Sequence, residues 1–230
     1  MMLLTKLSQS RPYNVNLLGW YFFQIGLLFL ASSIFISGIF LLIALLSANK
    51  NRFHLFLQDK WNYILMMISV LMILGCITAY SGSLAWKGLA NWIPFFLLFW
   101  GFQPYLLTID SRKKCALLML IGTVPVVITG IGQLWFGWEG PWKLFNGLIV
   151  WFVAPNGNPT GRLSGLFNYA NFAGAWLSLV WPIALATLLQ TSLNKTKRCL
   201  AFLLLISIGL SLVLTNSRNA WGGMFLSTPF

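Results

Sequence analysis

The chain has 230 residues, of which 58% are hydrophobic and 8% charged, and its formal net charge is +12. Soluble domains carry roughly 25% charged residues, so that class is excluded, and recurrent runs of about 20 apolar residues are long enough to cross a bilayer. In a membrane protein an excess of Lys and Arg belongs to cytoplasmic loops, and without a nucleic-acid motif the charge is no argument for a nucleic-acid partner.

The composition therefore predicts an all-α, polytopic transmembrane helical bundle, with residues 1–230 forming one integral-membrane domain in contact with the lipid bilayer. Residues 1–16 carry Lys6 and Arg11 and lack a small-residue cleavage site, so they read as a short cytoplasmic start and not a removable signal. Residues 17–47 are unbroken apolar sequence, about 46 Å as one helix, against a hydrocarbon core of ~30 Å. A tight hairpin of two short spans, folded near Ser32-Ser33 and Ser37-Gly38, is preferred over one long tilted helix. Only a double crossing puts Lys50 and Arg52 on the side of Lys6 and Arg11.

Residues 61–80 form the third span, and Ser81-Gly82-Ser83 the outer turn. Trp86 and Trp92 suit the headgroup level. The fourth span covers about residues 92–109, with Pro94 and Pro104 near its ends, and returns to Arg112-Lys113-Lys114. The fifth, 115–136, holds Pro125, Gly130 and Gly132 and is expected to kink. Residues 137–164 form an outer-face loop whose apolar centre, 148–154, is too short to span and reads as interfacial or re-entrant. Pro155-Asn156-Gly157-Asn158-Pro159 is a turn. The sixth span, about 165–190, leads to Lys195, Lys197 and Arg198; the seventh is 199–215; residues 220–230 begin an eighth.

This layout puts Lys6, Arg11, Lys50, Arg52, Lys60, Arg112, Lys113, Lys114, Lys195, Lys197 and Arg198 in the cytoplasm. Only Lys87, Lys143, Arg162 and Arg218 fall outside, as the positive-inside rule requires of an inner-membrane, multi-pass protein with a cytoplasmic N-terminus. Arg162 and Arg218 then share the outer face.

Cys76, Cys115 and Cys199 lie in or beside apolar runs at no metal or redox spacing, and His54 is the single histidine. No metal and no cofactor is expected. Asp59, Asp110 and Glu139 are the only acids, none inside a span, so neither a carboxylate relay nor an acid/base pair is available.

The polar exception is Gly161-Arg162-Leu163-Ser164-Gly165-Leu166-Phe167-Asn168-Tyr169-Ala170-Asn171-Phe172-Ala173-Gly174. On a helix, Asn168, Asn171, Gly174 and Ser178 draw one stripe of small and polar residues. It reads either as interhelical packing or as the wall of a polar cavity, splayed by Pro182. Ser211, Thr215 and Arg218 likewise share a face if the seventh helix continues. An arginine fork suits phosphate, and two on one face would hold a diphosphate; the competing reading is that each reaches ordinary lipid phosphates.

The run from Gly161 to Ala173, together with Leu214-Thr215-Asn216-Ser217-Arg218-Asn219-Ala220-Trp221, resembles two elements of the O-antigen ligase and O-antigen polymerase family. With Ala175-Trp176 and the Trp-rich character, it is most similar to a cyanobacterial branch assigned to bicarbonate transport. The resemblance implies a fold like that of C-type glycosyltransferases and metal-independent transfer of a polyprenyl-diphosphate-linked glycan to a lipid or glycan acceptor. It gives Arg162 and Arg218 the diphosphate, and Asn168 and Asn171 the shaping of the pocket, and it assigns no catalytic residue. The family has later spans and a large loop bearing a functional histidine. The resemblance thus implies the N-terminal portion of a longer fold, whose catalytic base lies beyond residue 230 or on the substrate. A bicarbonate transporter with the same arginines at an anion-attracting mouth is the alternative. An inactive remnant is the third reading.

Overall fold

The computed structural model describes residues 11–12, 15–49, 58–191 and 193–229. The expectations attached to Lys6, Lys50, Arg52 and His54 lie outside the described residues. The described chain is mostly helical, and by length and composition four helical stretches are long and apolar enough to cross a membrane, Lys60–Thr78, Ile109–Trp135 (two helices in succession), Ala170–Leu188 and Lys195–Leu214.

The first apolar run divides as its serines suggest, into α1 (Leu17–Leu28) and α2 (Ile34–Asn49), 12 and 16 residues long. At 1.5 Å per residue they measure about 18 and 24 Å, short of a ~30 Å hydrocarbon core. The break is chemically defined: the Ser33 hydroxyl accepts from the Ile36 amide at 3.4 Å, and the Ser37 hydroxyl donates back to the Gly26 carbonyl at 2.8 Å. Helix α3 (Lys60–Thr78) is capped by Asp59, whose carboxylate accepts from the Trp61 amide at 3.0 Å. Helix α4 (Ser83–Phe102) starts about nine residues earlier than expected, so Trp86 and Lys87 sit on the helix and not in a loop, with Trp92 in its middle. Lys87 within it lowers its apolarity, and α4 is not among the four long apolar stretches.

The fifth apolar run is two helices, α5 (Ile109–Gly122) and α6 (Val124–Trp135), parted at Thr123. Pro125 has no amide hydrogen to continue the ladder, which explains a break at this point. Nearby hydroxyls fold back on the main chain, Thr123 onto Met119 at 2.9 Å and Thr129 onto Pro125 at 2.7 Å, leaving little polar surface in the apolar run.

Between α6 and the next helix the expected loop contains a short hairpin in place of an interfacial or re-entrant segment. Residues 148–154 supply one edge of a small antiparallel hairpin, with β1 (Trp142–Leu144) paired to β2 (Ile149–Trp151) in the register Lys143 opposite Val150. Alternating Trp, Leu, Ile and Val residues around the left-handed Asn146 and Gly147 give this loop its strand character. Then follow α7 (Ala170–Leu188), α8 (Lys195–Leu214) and α9 (Arg218–Ser227). The Asn194 side chain caps α8 by accepting from the Lys197 amide at 2.9 Å.

The chain forms two compact units, Met1–Phe23 with Phe40–Arg112 and Gln24–Ile39 with Lys113–Phe230. In the first, Tyr105 stacks on Trp20 and Phe23 and donates to the Ala44 carbonyl at 2.7 Å, so the buried phenol has both an apolar bed and an acceptor. In the second, Leu120, Val127, Leu177, Val180, Leu205, Ile208 and Leu212 make one core where α5 to α8 meet.

Close approach of main chains in this second core relies on glycine. A Cβ on Gly122 would collide with the Leu28 carbonyl, whereas one on Gly75 would meet open space. Gly122→Ala should therefore destabilise the protein by about 1–3 kcal/mol, the usual cost of overpacking. Gly75→Ala should be neutral or stabilising by up to ~1 kcal/mol from helix propensity. Thermal unfolding midpoints in one detergent would test the contrast, and equal midpoints would contradict it.

Candidate functional site

The polar stretch is not the start of a helix. Helix α7 begins at Ala170, five residues later than expected, because Gly161 and Gly165 adopt left-handed backbone (φ 79° and 56°) and Tyr169 is extended. Residues 161–169 instead form an irregular loop across the ends of α6 and α8, and buried side chains and amides hold it from both sides.

From the α6 side the anchor is Gln133, which is fully buried. Its amide oxygen accepts from the Gly165 and Ser164 amides at 2.8 and 3.0 Å, and its amide nitrogen donates to the Ala154 carbonyl at 2.7 Å and the Ser164 hydroxyl at 3.1 Å. One glutamine thus ties the loop to the end of the hairpin segment. Beside it Leu163 is fully buried against Gly130, where an added Cβ would stand 2.7 Å from the leucine side chain. Below Arg162 the turn closes on Gly157, whose missing Cβ leaves room for the Arg162 carbonyl.

From the α8 side the anchor is the helix end itself. The last carbonyls of a helix have no intrahelical partner. Here the Leu163 amide donates to the Leu214 carbonyl at 2.9 Å, and Arg162 Nε donates to the Thr215 carbonyl at 2.8 Å. A guanidinium is electrostatically well placed there, since a helix C-terminus carries partial negative charge. Arg162 Nη2 donates to Asn171 Oδ1 at 2.7 Å on the first turn of α7. Two of the five guanidinium N–H groups are so engaged, and among the described residues no carboxylate neutralises the charge.

The structure brings Arg162 and Asn171 together, then, but it separates Asn168 from them. Asn168 precedes α7 and is exposed; its main-chain carbonyl accepts from Asn158 Nδ2 at 2.6 Å. The expected four-residue stripe therefore loses its first member. Its lower members pack: a Cβ on Gly174 would lie 2.9 Å from Ala220 and 3.0 Å from Ser217, and Gly223 faces Ser178. Gly174 and Ser178 form a seam between α7 and α9, which is the interhelical reading of the stripe. Helix α7 runs through Pro182 without interruption.

Helicity also stops after Thr215. Asn216 is left-handed (φ 48°), the Ser217 amide bonds to the Thr215 hydroxyl at 3.3 Å, and Arg218 opens α9. Ser211, Thr215 and Arg218 are thus not one continuous helical face. Arg218 stands three residues beyond the carbonyl that Arg162 grips; it is exposed, and its side chain has no hydrogen-bond partner among the described residues. The spare N–H groups of Arg162 and the exposed Arg218 are donors of the kind an anion accepts.

Gln133 is the residue that sequence reasoning passed over. Its signal was present: a lone amide within an apolar run must be satisfied when buried, and a partner was owed to it. Among the described residues no three His, Cys, Asp or Glu side chains gather into a metal-binding group. Set against protein-family models, curated proteins and solved structures, the chain matches none of them.

Replacing Gln133 by Leu would strand two buried amides and a carbonyl, each costing about 1–3 kcal/mol. Gln133→Leu should lower the unfolding midpoint and open the Arg162–Leu163 bond to trypsin well before any cut in the wild type. Wild-type digestion kinetics in the variant would show that the loop is held by something else.

Proposed function

We propose that the chain is an inner-membrane, multi-pass protein like the O-antigen ligases and polymerases, built on the C-type glycosyltransferase plan with about seven spans and a cytoplasmic N-terminus. In this reading Arg162 and Arg218 bind the diphosphate of a polyprenyl-linked glycan on the periplasmic face, for transfer to a lipid or glycan acceptor. Asn171 orients the Arg162 guanidinium, and Asn168 lies at the rim.

The observation that carries the reading is the state of the two guanidinium groups. Arg162 is fixed by Thr215 and Asn171, with three N–H groups left over and, among the described residues, no carboxylate beside it. Arg218 follows at the start of the next helix with its fork uncommitted among the described residues. A preoriented arginine and a free one supply the planar, bidentate contacts that phosphoryl oxygens accept. The motif resemblance supplies the identity of the ligand.

The test is binding of undecaprenyl diphosphate to the purified chain in nanodiscs, with undecaprenyl monophosphate as comparison. A charge-assisted hydrogen bond contributes about 1.5–3 kcal/mol, so Arg218→Ala and Arg162→Lys should each weaken diphosphate binding roughly tenfold or more. Arg162 also closes α8, and its variant can lose fold; Arg218 is exposed and makes no side-chain hydrogen bond among the described residues, so its variant reads binding. Unchanged affinity in Arg218→Ala would sink the proposal. Saturable bicarbonate flux in liposomes, lost in the same variant, would replace it with transport.

A further inference from the structure

We propose that the end of the second unit opposite Arg162 is a docking surface for the headgroups of anionic phospholipids. The two ends can be assigned from contacts within the unit. Gln133 near the end of α6 and Leu214 and Thr215 at the end of α8 grip the same loop, so the C-terminal ends of these helices lie together. Leu120 of α5 and Leu205 of α8 belong to one core on the far side of that loop, so the first turn of α8 lies at the end away from Arg162.

That far end carries Lys113 and Lys114 on α5 and Lys195, Lys197 and Arg198 on α8. Lys113, Lys195, Lys197 and Arg198 are exposed, and Lys114 is half-buried. Five cations thus come from two helices that contribute to one core, three of them from α8 alone. Within this unit Glu139 is the one carboxylate side chain, and it lies in the loop after α6, at the Arg162 end. Asp110 in the first turn of α5 precedes Lys113 and Lys114 by three and four residues, so these two have a carboxylate on their own helix; Lys195, Lys197 and Arg198 occupy the first turn of α8, which has no acid and where the backbone is itself partly positive.

The α8 cluster has no carboxylate on its own helix, and the geometry says where a counter-charge stands. Helix α8 has 20 residues, about 30 Å at 1.5 Å per residue, which sets its basic end at the headgroup level when its apolar length fills the hydrocarbon. Headgroup phosphates at that depth present a sheet of negative charge, and Lys and Arg near such a surface are attracted to it. The proposal needs no glycan chemistry and stands independently of the diphosphate reading at the other end.

The full chain, reconstituted in nanodiscs of phosphatidylcholine with a minor fraction of phosphatidylglycerol, would be released into detergent and its retained lipids counted by native mass spectrometry. Selective retention of phosphatidylglycerol, declining as salt is raised, is expected. Each basic residue removed should weaken that preference about fivefold, so Lys195→Gln/Lys197→Gln/Arg198→Gln should reduce it on the order of 100-fold. Lys113→Gln gives a milder, independent loss should the triple variant fail to insert, and Lys143→Gln in the hairpin should leave the preference intact. Equal retention of both lipids by the wild type, wild-type selectivity in the far-end variants, or full displacement of the lipid by inorganic phosphate would overturn the proposal.

Discussion

Two main-chain carbonyls at the end of α8 need partners, and how they obtain them governs the rest of the second unit. A helix end inside an apolar bundle has no water to turn to, and an unpaired buried carbonyl costs free energy of the order of a lost hydrogen bond. Leu163 and Arg162 supply the donors. For the loop to reach, its backbone must be supported from below, which Gln133 does, and must pass close to α6, which Gly130 permits. The left-handed glycines, the buried Leu163 and the late start of α7 all follow from that single requirement.

The coarse architecture was legible from composition because apolar runs of spanning length admit few other folds. The hinge at Ser32-Ser33 was legible too, since residues 17–47 were too long for one upright helix and serine is the first residue able to cap the next one. The later details were hidden for identifiable reasons. Spacing placed Asn168 on a helix because period-based arguments assume that the helix exists, and two left-handed glycines had already delayed it. Asn216 did the same to the Ser211–Thr215–Arg218 face. The hairpin at Trp142 to Trp151 escaped notice because a run of seven apolar residues in a membrane protein resembles a short embedded segment more than a strand.

The asparagine and glycine stripe shows how one pattern can serve two ends at once. Its upper member, Asn171, steers a guanidinium, while Gly174 and Ser178 below it let α7 and α9 approach within contact distance. Sequence alone offered packing and polar lining as rivals. The three-dimensional arrangement divides them along the helix, with Asn171 on the first turn of α7 bonded to Arg162 and Gly174 and Ser178 set against α9.

Under the proposed function, Arg162 leaves folding and ligand recognition drawing on one side chain. Any anion that binds its remaining N–H groups also favours the conformation in which Thr215 and Asn171 hold the other two, so occupancy and the integrity of the α8 terminus are thermodynamically linked. Such a residue is hard to alter in small steps. A lysine keeps the charge but lacks the second donor arm, and an uncharged residue frees the Thr215 carbonyl at the same moment that it removes the cation. Drift at this position would therefore register as loss of structure before it could appear as a change in specificity.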